Sequence, residues 1–140
     1  MGKYELTKLA VYGTLRNRHP DAVEGWIYGF KLYDTGNGFP AIVKAEEGMT
    51  PIKVDLFDAT ERSLWMYDRI EGIENGLYVR EEVIVFDSLT KHYTGDEKGG
   101  VVADIYVAGP MLTERREHFV EIESGDWIEY KKTFDYETAN

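Results

Sequence analysis

Short stretches of apolar–polar alternation, cut apart by glycine, proline, asparagine and aspartate, dominate this sequence and restrict it to a sheet-rich fold. Trp26, Tyr28, Phe30 and Leu32 fall on one face of a period-two strand, with Gly25, Gly29 and Lys31 on the other. Glycines inside such a strand predict bends or a close backbone approach, as at a barrel corner. Ile52, Val54 and Leu56 alternate with Lys53 and Asp55 in the same way. Residues 39–43 form a short strand whose Pro40 sits near its start, where a missing N–H is tolerable. Residues 9–12 are instead a continuous apolar run, predicting a buried strand that turns sharply at Gly13. Strands over 78–87 and 101–107 bring the count to about six. Turns are expected at 34–38 and 48–51, and polar loops at 16–24 and 91–100.

One helix stands out against this background. Its pattern runs from about residue 59 to 70 or 71, with Asp58 as N-cap, Glu61 three positions on, and Gly72 as a stop. Leu64, Tyr67 and Glu71 share one face. A weaker helical pattern covers 115–123, Trp127 is a late aromatic anchor, and the chain is expected to fray from about residue 133. These elements predict one α+β domain over residues 1–140, with its core over about 8–130, one main helix and a curled, largely antiparallel sheet.

Charge and composition remove several functions. Sixteen Lys and Arg stand against 26 Asp and Glu, a formal charge of −10. Phosphate contacts need basic surface, so neither nucleic acid nor an anionic membrane is expected as partner. Cysteine is absent, which excludes disulfides, thiolate catalysis and thiolate-bound metals. His19, His92 and His118 are far apart and lack ligand spacing, so no metal is expected. No glycine-rich phosphate loop occurs, and no apolar run approaches the ~20 residues of a membrane helix. The N-terminal residues lack the apolar core of a signal peptide, so a soluble cytoplasmic protein is expected.

Two segments carry the chemistry. In Tyr12-Gly13-Thr14-Leu15-Arg16, a glycine at a strand's end lets successive N–H groups point into one concavity, a nest for an anion. Arg16 could add a positive field there. The competing reading is an ordinary strand-to-loop turn. In the second segment, Glu71 falls at the end of the helix on its apolar face. Desolvation and the negative end of the helix dipole both raise a carboxylate pKa toward neutrality, where it can transfer protons. The competing reading is a solvated residue at a helix end, and Tyr67 and Tyr78 are as readily core residues as catalytic ones.

Taken together, Y-G-T-L at the end of the first strand, F-P-A at 39–41, and D-x-x-E-G-x-x-x-G-x-Y-x-R from Asp68 to Arg80 resemble the γ-glutamylcyclotransferase-like family, which includes γ-glutamylamine cyclotransferases. Ser124-Gly125-Asp126-Trp127 resembles an ending of its small bacterial members. The resemblance implies a small mixed β-barrel with a cavity at one end. Tyr12, Gly13, Thr14 and Leu15 would hold the substrate's α-carboxylate, and Glu71 would be the catalytic acid/base. Pro40, beside Phe39 and Ala41, would wall the cavity, and Tyr78 and Arg80 would line or support it. The implied substrate is a small γ-glutamyl amine or peptide that cyclises to 5-oxoproline, with no cofactor. A non-catalytic protein that sequesters a small anion in the same cavity is the alternative.

Overall fold

The computed structural model describes residues 6–45, 50–87 and 100–138. The turn expected at 48–51 falls partly outside these residues, as do His92 and nearly all of the loop at 91–100. Eight strands and three α-helices are present among the described residues. They run β1 (Leu6–Val11), β2 (Val23–Ile27), β3 (Phe30–Asp34), β4 (Pro40–Lys44), β5 (Ile52–Thr60), α1 (Glu61–Ile70), β6 (Tyr78–Val85), β7 (Val101–Ala108), α2 (Pro110–Thr113), β8 (Val120–Glu121) and α3 (Trp127–Thr138).

A five-stranded sheet has the order β2-β5-β1-β7-β6, and a three-stranded sheet has the order β4-β3-β8. Every pairing is antiparallel except that of β1 with β7. The central place of β1 explains its unbroken apolar run. Ala10 packs into the core between the two sheets, while Leu9 and Val11 pack on the other face with Phe57 and Leu64. A strand buried on both faces has no polar side to show.

The barrel expectation needs a correction. The large sheet curls until its two edges meet, but only at Trp26 and Phe86, which exchange N–H···O bonds of 2.9 Å. One bridge leaves the sheets short of a true barrel. The glycines of the aromatic strand produce this curl. Gly29 takes φ +87° and splits the stretch into β2 and β3, which enter different sheets. Gly25 lets β2 approach β6, where an added Cβ would lie 2.5 Å from Cγ1 of Val85. The split also shifts the buried face of β2, so Ile27 rather than Trp26 enters the core.

Helix α1 starts two residues later than expected. The β5 strand runs through Asp58, whose carboxylate pairs with Lys8 on β1 at 3.1 Å. Thr60 is the N-cap instead, its side chain accepting from the Ser63 N–H. The weak helical pattern at 115–123 resolves into a short 3₁₀ turn at Arg116–His118 and β8, with α2 lying just before it. The C-terminal segment forms α3 rather than fraying at 133, with Trp127 at its start 4% exposed in the main core. Among the described residues no helix is long and apolar enough to cross a membrane.

Candidate active site

Where β1 ends, the chain turns over the open end of the curled sheet. The turn is closed by the Arg16 N–H donating to the Gly13 carbonyl at 3.0 Å. Among the described residues, no protein acceptor takes the N–H of Thr14 or Leu15. The loop faces a small pocket that opens to solvent. Tyr12, Gly13, Thr14 and Leu15 line it on one side, with Phe39, Pro40, Glu71, Tyr78 and Tyr106 completing the wall. Of the substrate and catalytic residues that the resemblance implies, Tyr12, Gly13, Thr14, Leu15, Pro40, Glu71 and Tyr78 are therefore brought together, and one is not.

The exception is Arg80. It does not line the cavity; on β6 its Nη1 donates to both carboxylate oxygens of Asp68, at 2.8 and 2.7 Å, and its Nε lies 3.2 Å from Asp104. It acts behind the wall. Tyr106, directly opposite Arg80 in the β6–β7 register, donates its hydroxyl to the same Asp68 at 2.7 Å. Asp68 lies one helical turn before Glu71, so this network ties the end of α1 to the cavity wall. In the sequence Tyr106 and Asp104 show only as alternate positions of β7 between Ala103, Ile105 and Val107, with no local signal of a site.

Glu71 occupies the C-cap of α1, its N–H donating to the Tyr67 carbonyl at 2.8 Å. Gly72 follows in the left-handed region at φ +66°, ending the helix and turning the chain away. Burial pushes the Glu71 carboxyl up to about 7. Desolvation is the cause. No hydrogen bond or ion pair among the described residues engages its side chain. An unpartnered carboxyl that titrates near neutrality can both take and return a proton.

Arg16 differs from its expected role. Its side chain is only 3% exposed and points away from solvent, 2.9 Å from Asp126 and 3.6 Å from Asp55. Two carboxylates neutralise it, so it anchors the loop rather than lending it positive field. The Asn17 N–H, at φ +64°, donates to the other oxygen of Asp55 at 2.7 Å.

Gly13 is required by proximity, since an added Cβ would lie 2.7 Å from Cγ of Pro40. Gly13→Val is therefore expected to push the loop off Pro40 and, if the loop holds a carboxylate, to weaken binding of a 5-oxoproline probe, while the core, which it does not enter, keeps the fold. Calorimetric titration alongside thermal melting checks this; unaltered affinity would remove the loop from the binding site. Among the described residues no cluster of three or more His, Asp or Glu is placed to hold a metal.

The family model described as gamma-glutamyl cyclotransferase, AIG2-like, matches residues 9–129. Among curated proteins no sequence matches at a significant level. Solved structures share the fold. An uncharacterized protein from Pyrococcus horikoshii, PH0828, is 25% identical, with a TM-score of 0.60 over 93% of this chain and 97% of that one. An AIG2-like protein from Mus musculus is 17% identical, with a TM-score of 0.57 over 78% and 83% of the two chains. A structure titled gamma-glutamyl cyclotransferase is 19% identical, with a TM-score of 0.52 over 74% and 67%. With the matched region spanning both the Tyr12–Leu15 loop and Glu71, the chain belongs to the AIG2-like gamma-glutamyl cyclotransferase family.

Proposed function

We propose that the protein is a γ-glutamyl cyclotransferase acting on a small γ-glutamyl amine or peptide, with Glu71 as the single acid/base. The observation that carries this reading is a carboxyl raised to about 7 by burial, in the same cavity as a loop of N–H groups, both without a hydrogen-bond partner among the described residues. Membership of the family supports it.

The Thr14 and Leu15 N–H groups hold the α-carboxylate of the substrate. That anchor folds the flexible glutamyl chain so that its α-nitrogen lies against its own γ-carbonyl, which is catalysis by orientation. Ionised Glu71 takes a proton from the α-ammonium. The freed amine attacks the γ-carbonyl carbon, a C–N bond forms, and the five-membered ring closes. Protonated Glu71 then gives its proton to the departing amine as the original amide bond breaks. The ring nitrogen, which still carries one hydrogen too many after the attack, gives it up to the released amine, so 5-oxoproline and an ammonium product leave with Glu71 ionised again and the proton count closes.

Incubation with a panel of γ-glutamyl amines and γ-glutamyl peptides, with 5-oxoproline read by mass spectrometry, tests the reading. Release from at least one member is expected. Tight binding across the panel with no release would instead make the protein a sequestering one.

A further inference from the structure

Three phenols wall the cavity, and the groups they face fix where their hydrogens point. Tyr12 donates to the Tyr106 carbonyl at 2.6 Å, Tyr78 to the Pro40 carbonyl at 2.6 Å, and Tyr106 to Oδ1 of Asp68 at 2.7 Å. None of these acceptors can return a hydrogen. Two are carbonyl oxygens, and the third is a carboxylate clamped by Arg80 through both oxygens. A phenol has one hydrogen and two lone pairs, so toward a ligand each of the three can only accept.

Two of them have another donor nearby, the Ile42 backbone beside Tyr12 and the Arg80 guanidinium beside Tyr106. Tyr78 has no second partner among the described residues. Its hydroxyl lies close enough to Glu71 for the carboxylate charge to oppose its ionisation, with burial opposing it more strongly. The cavity thus combines donors, on the Thr14–Leu15 loop, with acceptors, on Glu71 and Tyr78.

We propose that Tyr78 is a specificity-determining residue whose Oη accepts a hydrogen from the α-amino group of the substrate, so that the cavity selects an N–H donor at that carbon and rejects a carbonyl oxygen there. The proposal rests on the cyclotransferase reading and adds to it the group that recognises the nucleophile. A ligand with only C–H at the α-carbon leaves the Tyr78 oxygen unpaired in a buried site. A carbonyl there sets lone pairs against lone pairs, and both defects cost affinity.

Glutamate, glutarate and 2-oxoglutarate share one skeleton and differ at this carbon by amine, hydrogen or carbonyl. Their dissociation constants are to be measured at pH 8, where Glu71 is mostly ionised and cannot donate. In the unmodified protein glutamate should bind roughly tenfold or more tighter than glutarate, as expected for a hydrogen bond to a charged group, with 2-oxoglutarate weakest. Tyr78→Phe should narrow that ratio about threefold or more, ionised Glu71 still favouring the ammonium, whereas Glu74→Gln, exposed and outside the cavity, should keep it. Should loss of the Pro40 bond unfold Tyr78→Phe, a ring-fluorinated tyrosine at position 78 keeps that bond, weakens the oxygen as an acceptor and should still narrow the ratio. A ratio unchanged at position 78, or glutarate or 2-oxoglutarate binding as tightly as glutamate, overturns the proposal. If 5-oxoproline is still released in that case, the cyclotransferase reading stands without it; if the protein neither binds glutamate nor turns over any γ-glutamyl compound, both fall.

Discussion

Glu71→Gln is expected to lower the rate of 5-oxoproline release by about 10²–10⁴-fold, the usual share of general acid–base catalysis. Glutamine keeps the shape and hydrogen-bonding capacity of the side chain but cannot carry a proton between two nitrogens. Substrate affinity should stay within a few-fold, because the carboxylate anchor lies in the Thr14–Leu15 loop on another element. Stability should move the other way. The Glu71 carboxyl titrates at about 7 in the fold against an unfolded value near 4.5, so the folded protein favours the protonated form. That contribution is complete below the unfolded value and is lost as pH rises through 7. The unmodified protein should therefore lose melting temperature between pH 5 and 8 relative to Glu71→Gln. The gap should reach at most a few kcal/mol, since each pKa unit is worth ~1.4 kcal/mol. Glu74→Gln, an exposed residue just beyond Gly72, is the matched control and should change neither quantity. Equal losses of activity in the two variants would remove any special role for Glu71.

The largest loss of stability is expected from Arg16→Met. Methionine fills much of the same volume but leaves Asp55, 5% exposed, and the half-buried Asp126 without their cation. Breaking one side of a buried ion pair typically costs ~3–5 kcal/mol, because the remaining charge stays desolvated. For a chain of this length that is a fall of roughly 10 °C in melting temperature. The pairing is already strained in one respect, since the buried Nε of Arg16 makes no hydrogen bond. Arg16→Lys should fall between the two, because one ammonium cannot reach as the planar guanidinium does toward both β5 and the start of α3. A melting temperature within a degree or two of the parent would mean that the cluster does not hold the loop.

Local signals in the sequence reported the cavity well and its supports poorly. The Tyr12–Leu15 turn announces itself by a glycine after an apolar run, and Glu71 by its helix face and the glycine behind it. Both are properties of neighbours in the chain. The Arg16–Asp55–Asp126 cluster joins residues from a loop, a strand and a helix start, and nothing local distinguishes Arg16 from a solvated loop arginine. Asp104 and Tyr106 look like ordinary polar positions of a half-exposed strand until the β6–β7 register sets Arg80 opposite Tyr106. The same limit applies to the fold. Alternation from Trp26 to Leu32 signals a strand, yet the positive φ of Gly29 cuts it in two and sends the halves to separate sheets. Asp58 has the right chemistry for an N-cap, but β5 pairs with β1 as far as Thr60 and delays the helix. Helix α3 has little amphipathic pattern of its own; tertiary packing of Trp127 into the main core supplies what local propensity does not.

The products formed in ¹⁸O-labelled water distinguish ring closure from hydrolysis. Attack by the substrate's own α-amine should give 5-oxoproline and free amine in equal amounts, with no solvent oxygen in the ring product, and Glu71→Gln should suppress both together. Glutamate carrying ¹⁸O in its γ-carboxylate would mean that water is the nucleophile, and it would contradict the account of the cavity as a site for ring closure.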